Sequence, residues 1–178
     1  MSQPSHSPQR AQQQARGASS NGLYYPYRTP YGTLTIRVEQ GSVTNIALGD
    51  VSFEGKKRPT ELASTTATQI QEYLAGKRQS FSVPFAPQGS PFQQSVWRAV
   101  SQIPYGQTRT CADIASSIQR PDSFRAVGSA VRHNPLVMVI PAHRVVDTAG
   151  KPLGSGREAR VKGALLRLEQ KTLRGAEG

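Results

Sequence analysis

The stretch Ala86-Pro87-Gln88-Gly89-Ser90-Pro91 divides the chain, because the spacing of the apolar residues differs on its two sides. Before it, Leu34, Ile36 and Val38 alternate with Thr33, Thr35, Arg37 and Glu39, and Phe81, Val83 and Phe85 alternate again, at the period of half-buried strands. After it, Phe92, Val96, Trp97 and Val100 recur at three and four, the period of a helix. Segregated strand and helix patterns predict an α+β fold, a small N-terminal strand-rich module followed by a mostly helical domain. The boundaries follow as a structural module over residues 22–86 and a helical domain over 90–174, with a short tail at 175–178.

Residues 1–21 are Gln, Ser, Pro, Arg and Ala with no large apolar residue after Met1. Such a segment cannot bury enough surface to offset its ordering entropy, so a disordered basic tail is expected, with Arg10 and Arg16 available for weak phosphate contacts. In the first module, Thr29-Pro30-Tyr31-Gly32 and Gln40-Gly41-Ser42 read as turns around the Leu34 strand, and Val43, Ile46 and Leu48 as the strand that returns. Residues 50–60 read as a polar loop, 66–75 as a helix with Ile70, Tyr73 and Leu74 on one face and Gly76 as its cap, and 81–85 as a last strand. No polar cluster in this module suggests a site.

In the second half, Ser90 and Pro91 form an N-cap and first-turn pair, and Tyr105-Gly106 ends the helix they start. Two short helices follow, over 110–118 and 124–133, joined by the turn Arg120-Pro121-Asp122-Ser123. This is the outline of a helix-turn-helix, winged-helix-like, whose second helix carries Arg125 and Arg132 with the small residues Ala126, Gly128 and Ser129 between them. Small residues permit close approach to a duplex, and arginines meet phosphates or enter a groove. A final helix over 159–173 turns Val161, Leu165, Leu166 and Leu168 inward and carries Glu169 near its end.

The formal net charge of +11 and pI near 10.4 favour a polyanionic partner. No apolar run approaches the roughly 18 residues that span a bilayer, and there is no signal-peptide core, so a cytoplasmic protein with no membrane role is expected. One cysteine, Cys111, and three histidines cannot build a structural zinc set, and neither metal nor other cofactor is expected.

The apolar run Leu136–Ile140 closes in Ile-Pro-Ala-His-Arg-Val-Val, residues 140–146. A histidine at the end of a buried strand or turn, beside a rigid proline, is a place where a fold presents chemistry. The residue before it, where an imidazole would orient a nucleophile, is Ala142, which has no reactive atom.

Together Pro91-Phe92-Gln93-Gln94-Ser95-Val96-Trp97, Ile103-Pro104-Tyr105-Gly106, Arg125-Ala126-Val127-Gly128, Arg132-His133-Asn134-Pro135 and Ile140-Pro141-Ala142-His143-Arg144-Val145-Val146 resemble the O6-alkylguanine-DNA alkyltransferases, over about residues 23–169. The resemblance implies a protein that flips a damaged guanine out of duplex DNA, since a reactive base atom is unreachable inside the stack. It implies that Arg125 enters the base stack while Ala126 and Gly128 let the helix lie in the minor groove, with Arg132, Cys111 and Ser123 also near the DNA. It places His143 and Glu169 as the pair that activates the acceptor, Asn134 as the brace of the turn, and Pro141, Val145, Ser155 and Arg157 around the lesion pocket. Ala142 stands at the acceptor cysteine, Cys111 where a tyrosine near the phosphate is usual, and Ser155 where a tyrosine packs on the base.

The expectation is therefore a non-catalytic sensor, similar to the alkyltransferase-like proteins, that marks O6-alkylguanine in double-stranded DNA for other repair factors such as nucleotide excision, working as a monomer. A methylated-DNA-protein-cysteine methyltransferase inactivated by a cysteine-to-alanine change is the alternative. A helix-turn-helix transcription regulator is a third, though the second helix offers no Asn or Gln to read base edges. Cys111 as a replacement nucleophile is disfavoured, because no activating base is next to it in sequence.

Overall fold

A computed structural model describes residues 21–178, so the expected disordered tail lies, apart from Asn21, outside the described residues. The chain is mixed α+β, a strand-rich sheet followed by helices, as its periodicities predict. Four strands, β1 (Leu23–Thr29), β2 (Gly32–Glu39), β3 (Ser42–Leu48) and the two-residue β4 (Lys56–Lys57), form a sheet in the order β3-β2-β1-β4. β1, β2 and β3 run antiparallel in sequence, and β4 lies parallel to the first two residues of β1.

β1 escapes the pattern reading because Leu23-Tyr24-Tyr25-Pro26-Tyr27 does not alternate and contains a proline. Pro26 pairs with Thr35 of β2, and β4 reaches only Leu23 and Tyr24 on the other side, so the N–H that proline lacks falls on an open edge. Between β2 and β3, Gln40 and Gly41 both take positive φ, 49° and 75°, the two-residue turn whose twist suits a hairpin.

Thr35 and Arg37, read as the exposed face of β2, are buried. The loop after β3 folds back over them: the Thr35 hydroxyl donates to the Gly49 carbonyl at 2.7 Å and accepts from Val51 N–H, and Arg37 donates to the Glu54 carbonyl, Glu39 and Thr44. A polar face is covered here because each of these buried groups is partnered.

Helix α1 (Glu61–Leu74) begins five residues before the expected start, because Thr60 caps it by accepting from Ala63 N–H at 3.0 Å. It ends as predicted at Gly76, whose φ of +74° allows Gly76 N–H to reach the Tyr73 carbonyl and Lys77 N–H the Glu72 carbonyl. The strand expected over 81–85 does not form. Pro84 has no N–H to give a ladder, and the segment makes one bridge, between Val43 and Phe85, through Val43 N–H to the Pro84 carbonyl and Ala86 N–H to the Val43 carbonyl.

Helix α2 (Pro91–Ser101) starts on a reciprocal Ser90–Gln93 capping box and buries Val96, Trp97 and Val100. α3 (Cys111–Ser117) starts on a second such box, Thr110 with Asp113. A 3-10 turn at Pro121–Ser123 leads into α4 (Phe124–Arg132), so the two short helices and their turn stand where the spacing put them. Trp97 Nε1 donates to the Ala130 carbonyl at 2.9 Å, fixing α2 to α4. Two-residue strands β5 (Arg109–Thr110) and β6 (Val145–Val146) pair in parallel. α5 (Gly156–Ala176) is longer than expected at both ends and leaves Leu168 half-buried. One apolar core runs from Leu34, Ile36 and Ile70 through Val96 and Val127 to Leu165. Among the described residues, no helix is long and apolar enough to cross a membrane.

Candidate functional site

The apolar run 136–140 is a turn, not a strand. Asn134 closes it from inside: its Nδ2 donates to the Ile140 carbonyl at 2.8 Å and its Oδ1 accepts from Leu136 N–H at 2.9 Å. Met138 takes a φ of +72° at the apex, and Ile140 N–H returns to the Leu136 carbonyl. On the sheet side, Ile46 N–H bonds the Pro135 carbonyl and Val137 N–H the Ile46 carbonyl, so β3 holds the turn's outer limb. Pro141 then starts a single 3-10 turn, Ala142–Arg144, before β6.

That turn points His143 into the protein, 2% exposed, against Glu169 of α5, 0% exposed, at 2.8 Å between Nε2 and Oε1. Tyr73, the buried hydroxyl of α1, donates to the same Glu169 oxygen at 2.7 Å and lies 3.2 Å from His143 Nε2. Arg144 Nη2 donates to Oε1 at 2.7 Å and its Nε to both oxygens, while Nη1 donates to the Ile103 carbonyl. Gly106 N–H donates to Oε2 at 2.9 Å. The Arg144 guanidinium also lies over the Tyr105 ring, 5.5 Å from its centroid.

Burial pushes the Glu169 carboxyl up, but the hydrogen bonds from His143 and Arg144 outweigh it and hold the group at about 2. An ionised carboxylate only accepts, so His143 Nε2 carries the shared proton and Nδ1 keeps its lone pair. Burial lowers the His143 pKa further than the neighbouring Glu169 raises it, which keeps the imidazole neutral at physiological pH. Burial, with the charge of Glu169, raises the Tyr73 phenol, so it remains a donor. The arrangement is a neutral base with a fixed tautomer, beside a residue that has nothing to deprotonate.

Ala142 and His143 line a cavity of about 500 Å³. Asn134, Arg132 and Arg157 line it too, so these expected residues come together, with Glu169 behind His143. Pro141, Val145 and Ser155 do not line it: the first two are buried, and Ser155 is exposed at the start of α5 with no capping bond. Asn45 to Leu48 of β3, Phe53 and Lys162, whose Nζ is tied to the Leu153 carbonyl and Glu158, line the cavity as well. The strand-rich module, read as carrying no site residues, thus supplies one wall of the cavity and, in Tyr73, one member of the buried network.

Arg125 and Ala126 are exposed on α4, and Ser123 is half-buried before it. Gly128 faces inward: a Cβ built on it would lie 3.6 Å from Cys111 Sγ. Cys111 is half-buried and does not line the cavity, and burial raises its thiol pKa against the lowering effect of Arg132. Among the described residues, no three His, Cys, Asp or Glu side chains are grouped to hold a metal ion. Tyr73 was detectable in principle, as a hydroxyl on the inward face of a helix that must find a partner; Arg144 and Gly106 carried no such signal.

The family described as 6-O-methylguanine DNA methyltransferase matches the chain twice, by its ribonuclease-like domain over residues 23–87 and by its DNA binding domain over residues 91–171. The constitutive methylated-DNA–protein-cysteine methyltransferase of Bacillus subtilis is 37% identical across 83% of this chain and 94% of its own length. The enzyme of the same name from Methanosarcina barkeri is 46% identical across 61% of this chain and 68% of its own. The crystal structure of Mycobacterium tuberculosis O6-methylguanine methyltransferase superposes with a TM-score of 0.78 at 35% identity, over 85% of this chain and 94% of that one. The same organism's protein in complex with DNA gives 0.77 at 37% identity, over 84% and 94%.

Proposed function

Because the chain belongs to the 6-O-methylguanine DNA methyltransferase family, we propose that it is a DNA repair protein that binds duplex DNA through the minor groove with α4, draws an O6-alkylated guanine into the cavity beside Ala142, and holds it there unreacted. One observation carries the reading: the side chain facing the cavity next to the His143–Glu169 pair is a methyl group. Alkyl transfer needs a nucleophile whose electron pair attacks the alkyl carbon, and alanine has none. Cys111 does not replace it, since its thiol lies under α4 at Gly128 with a raised pKa.

Other features support the DNA side of the proposal. Arg125 and Ala126 are exposed on a helix that begins after a short turn, and the sequence of that helix holds no Asn or Gln for base-edge readout. Affinity then comes from phosphates and from the opened stack, as a protein that searches for a lesion in any sequence requires. The bound site serves as a mark for excision repair proteins.

The test is binding to a duplex with one O6-methylguanine against the matching undamaged duplex at physiological salt. Tighter binding to the lesion, weakened by Arg125→Ala, with no methyl found on the protein by mass spectrometry, is the expected result. Equal binding to both duplexes refutes the reading.

The intact His143–Glu169 pair favours a second reading, a methyltransferase whose acceptor cysteine has been replaced by alanine. On that reading Ala142→Cys gains a methyl group from the damaged duplex stoichiometrically, and His143→Gln in the same background slows the transfer.

A further inference from the structure

Phe124 is the first residue of α4 and is 47% exposed, while the same helix buries Val127, Gly128, Ala130 and Val131. The Arg125 guanidinium lies over its ring, 5.9 Å from the centroid, so one exposed helical turn presents a flat apolar ring and a cation together. From residue 114 to residue 146 the one acidic residue is Asp122, against exposed arginines at 120, 125 and 132, the fourth, Arg144, being buried on Glu169. A ring that docked into a protein partner would not need this positive surround. A base step needs both, because apolar side chains wedge between stacked bases while arginines neutralise the phosphates beside them.

We propose that Phe124 is a second wedge: its ring enters the duplex next to Arg125 and stacks on the base pair beside the vacated position, holding the stack open. This rests on the duplex-binding reading above. The two side chains leave α4 about 100° apart around the helix axis, so they meet adjacent faces of the gap and do not compete for one space.

The full chain is titrated with three labelled duplexes, containing one O6-methylguanine, one abasic site, or no damage, while anisotropy gives Kd. Phe124→Ala weakens binding to the damaged and abasic duplexes by about ten- to a hundredfold, the scale of one lost stacking contact. Phe124→Leu recovers most of that loss, and the undamaged duplex is held about equally by all three proteins. The indole introduced by Phe124→Trp is quenched on the abasic duplex, against the constant emission of Trp97, which is 3% exposed. Because Phe124 is exposed, thermal melts of the variants coincide with that of the unaltered chain. A protein that does not prefer O6-methylguanine but still loses abasic binding on Phe124→Ala keeps the wedge and discards the lesion reading. Unchanged abasic binding on Phe124→Ala with an unquenched indole overturns the wedge.

Discussion

Glu169→Gln tests whether the buried network is what holds the site together. Glu169 is fully buried and accepts from His143, Tyr73, Arg144 and Gly106. An amide of the same shape keeps one acceptor and aims two N–H donors at groups that are themselves donors. Arg144, with 10% of its side chain exposed, then lacks its counter-charge. Breaking a buried pair in this way costs about 3–5 kcal/mol, and in a chain of this length roughly 6–20 °C in Tm. The pH dependence gives a second measure. The carboxyl titrates at about 2 in the fold against 4.5 for the free group, so it contributes stability that is complete above pH 4.5 and is lost as pH falls toward 2. That shift corresponds to about 3 kcal/mol, in agreement with the cost of breaking the pair. His143 acts in an earlier window: its pKa is lowered in the fold, so below its ordinary value of 6.5 the unfolded chain takes a proton that the folded chain refuses. Thermal melts by circular dichroism from pH 7.5 to pH 3 should show the native chain losing stability first below 6.5 and again below 4.5. The gap between native and Glu169→Gln should close through the second window. A Tm loss below about 3 °C at pH 7, or a gap that stays constant below pH 4.5, refutes the reasoning.

Tyr73→Phe removes one donor from the same carboxylate and should cost about 1.5–3 kcal/mol in urea unfolding, with binding to undamaged DNA unchanged. Gly128→Ala should stabilise α4 by up to about 1 kcal/mol and leave DNA affinity intact, because the added methyl faces Cys111 at ordinary contact distance; a large loss of affinity would place Gly128 against the DNA instead.

The legible parts of the fold were those whose cause is local. The Ser90–Pro91 helix start, the Gly76 stop and the pair of short helices around Pro121 are each written in residues that act on their immediate neighbours. β1 was not legible, because its pairing depends on β2 and its proline is tolerated only by the accident of an open edge. The strand read at 81–85 had the right alternation but a proline where a ladder needs a donor. In the site, His143 stands out from its place after an apolar run and a proline, Asn134 and Glu169 through motif resemblance, and Tyr73 only as a hydroxyl on the inward face of its helix with no partner named by the sequence, whereas the β3 wall belongs to long-range packing that no local pattern encodes. Tyr73 and Glu169 are 96 residues apart in the chain and 2.7 Å apart in space.

The survival of that network beside an alanine is weaker support for catalysis than it first suggests. Glu169 is the counter-charge of Arg144, which also ties to the Ile103 carbonyl, and it is the acceptor for α1 through Tyr73 and for the loop through Gly106. Removing it would strand a buried cation and the donors of Tyr73, His143 and Gly106, a loss of several kcal/mol in a protein whose whole margin is of order ten. The residues that would activate a thiol are therefore retained by the fold itself, whether or not a thiol is present. His143 is held by the same logic, as the remaining donor to the most buried carboxylate in the structure. Only Ala142 is free of this obligation: its side chain makes no polar contact, and a sulfur atom there would face the cavity. The two readings consequently part at that one position, and the methylation state of Ala142→Cys after exposure to damaged DNA separates a pocket that still aligns the alkyl carbon from one that has lost the geometry along with the nucleophile.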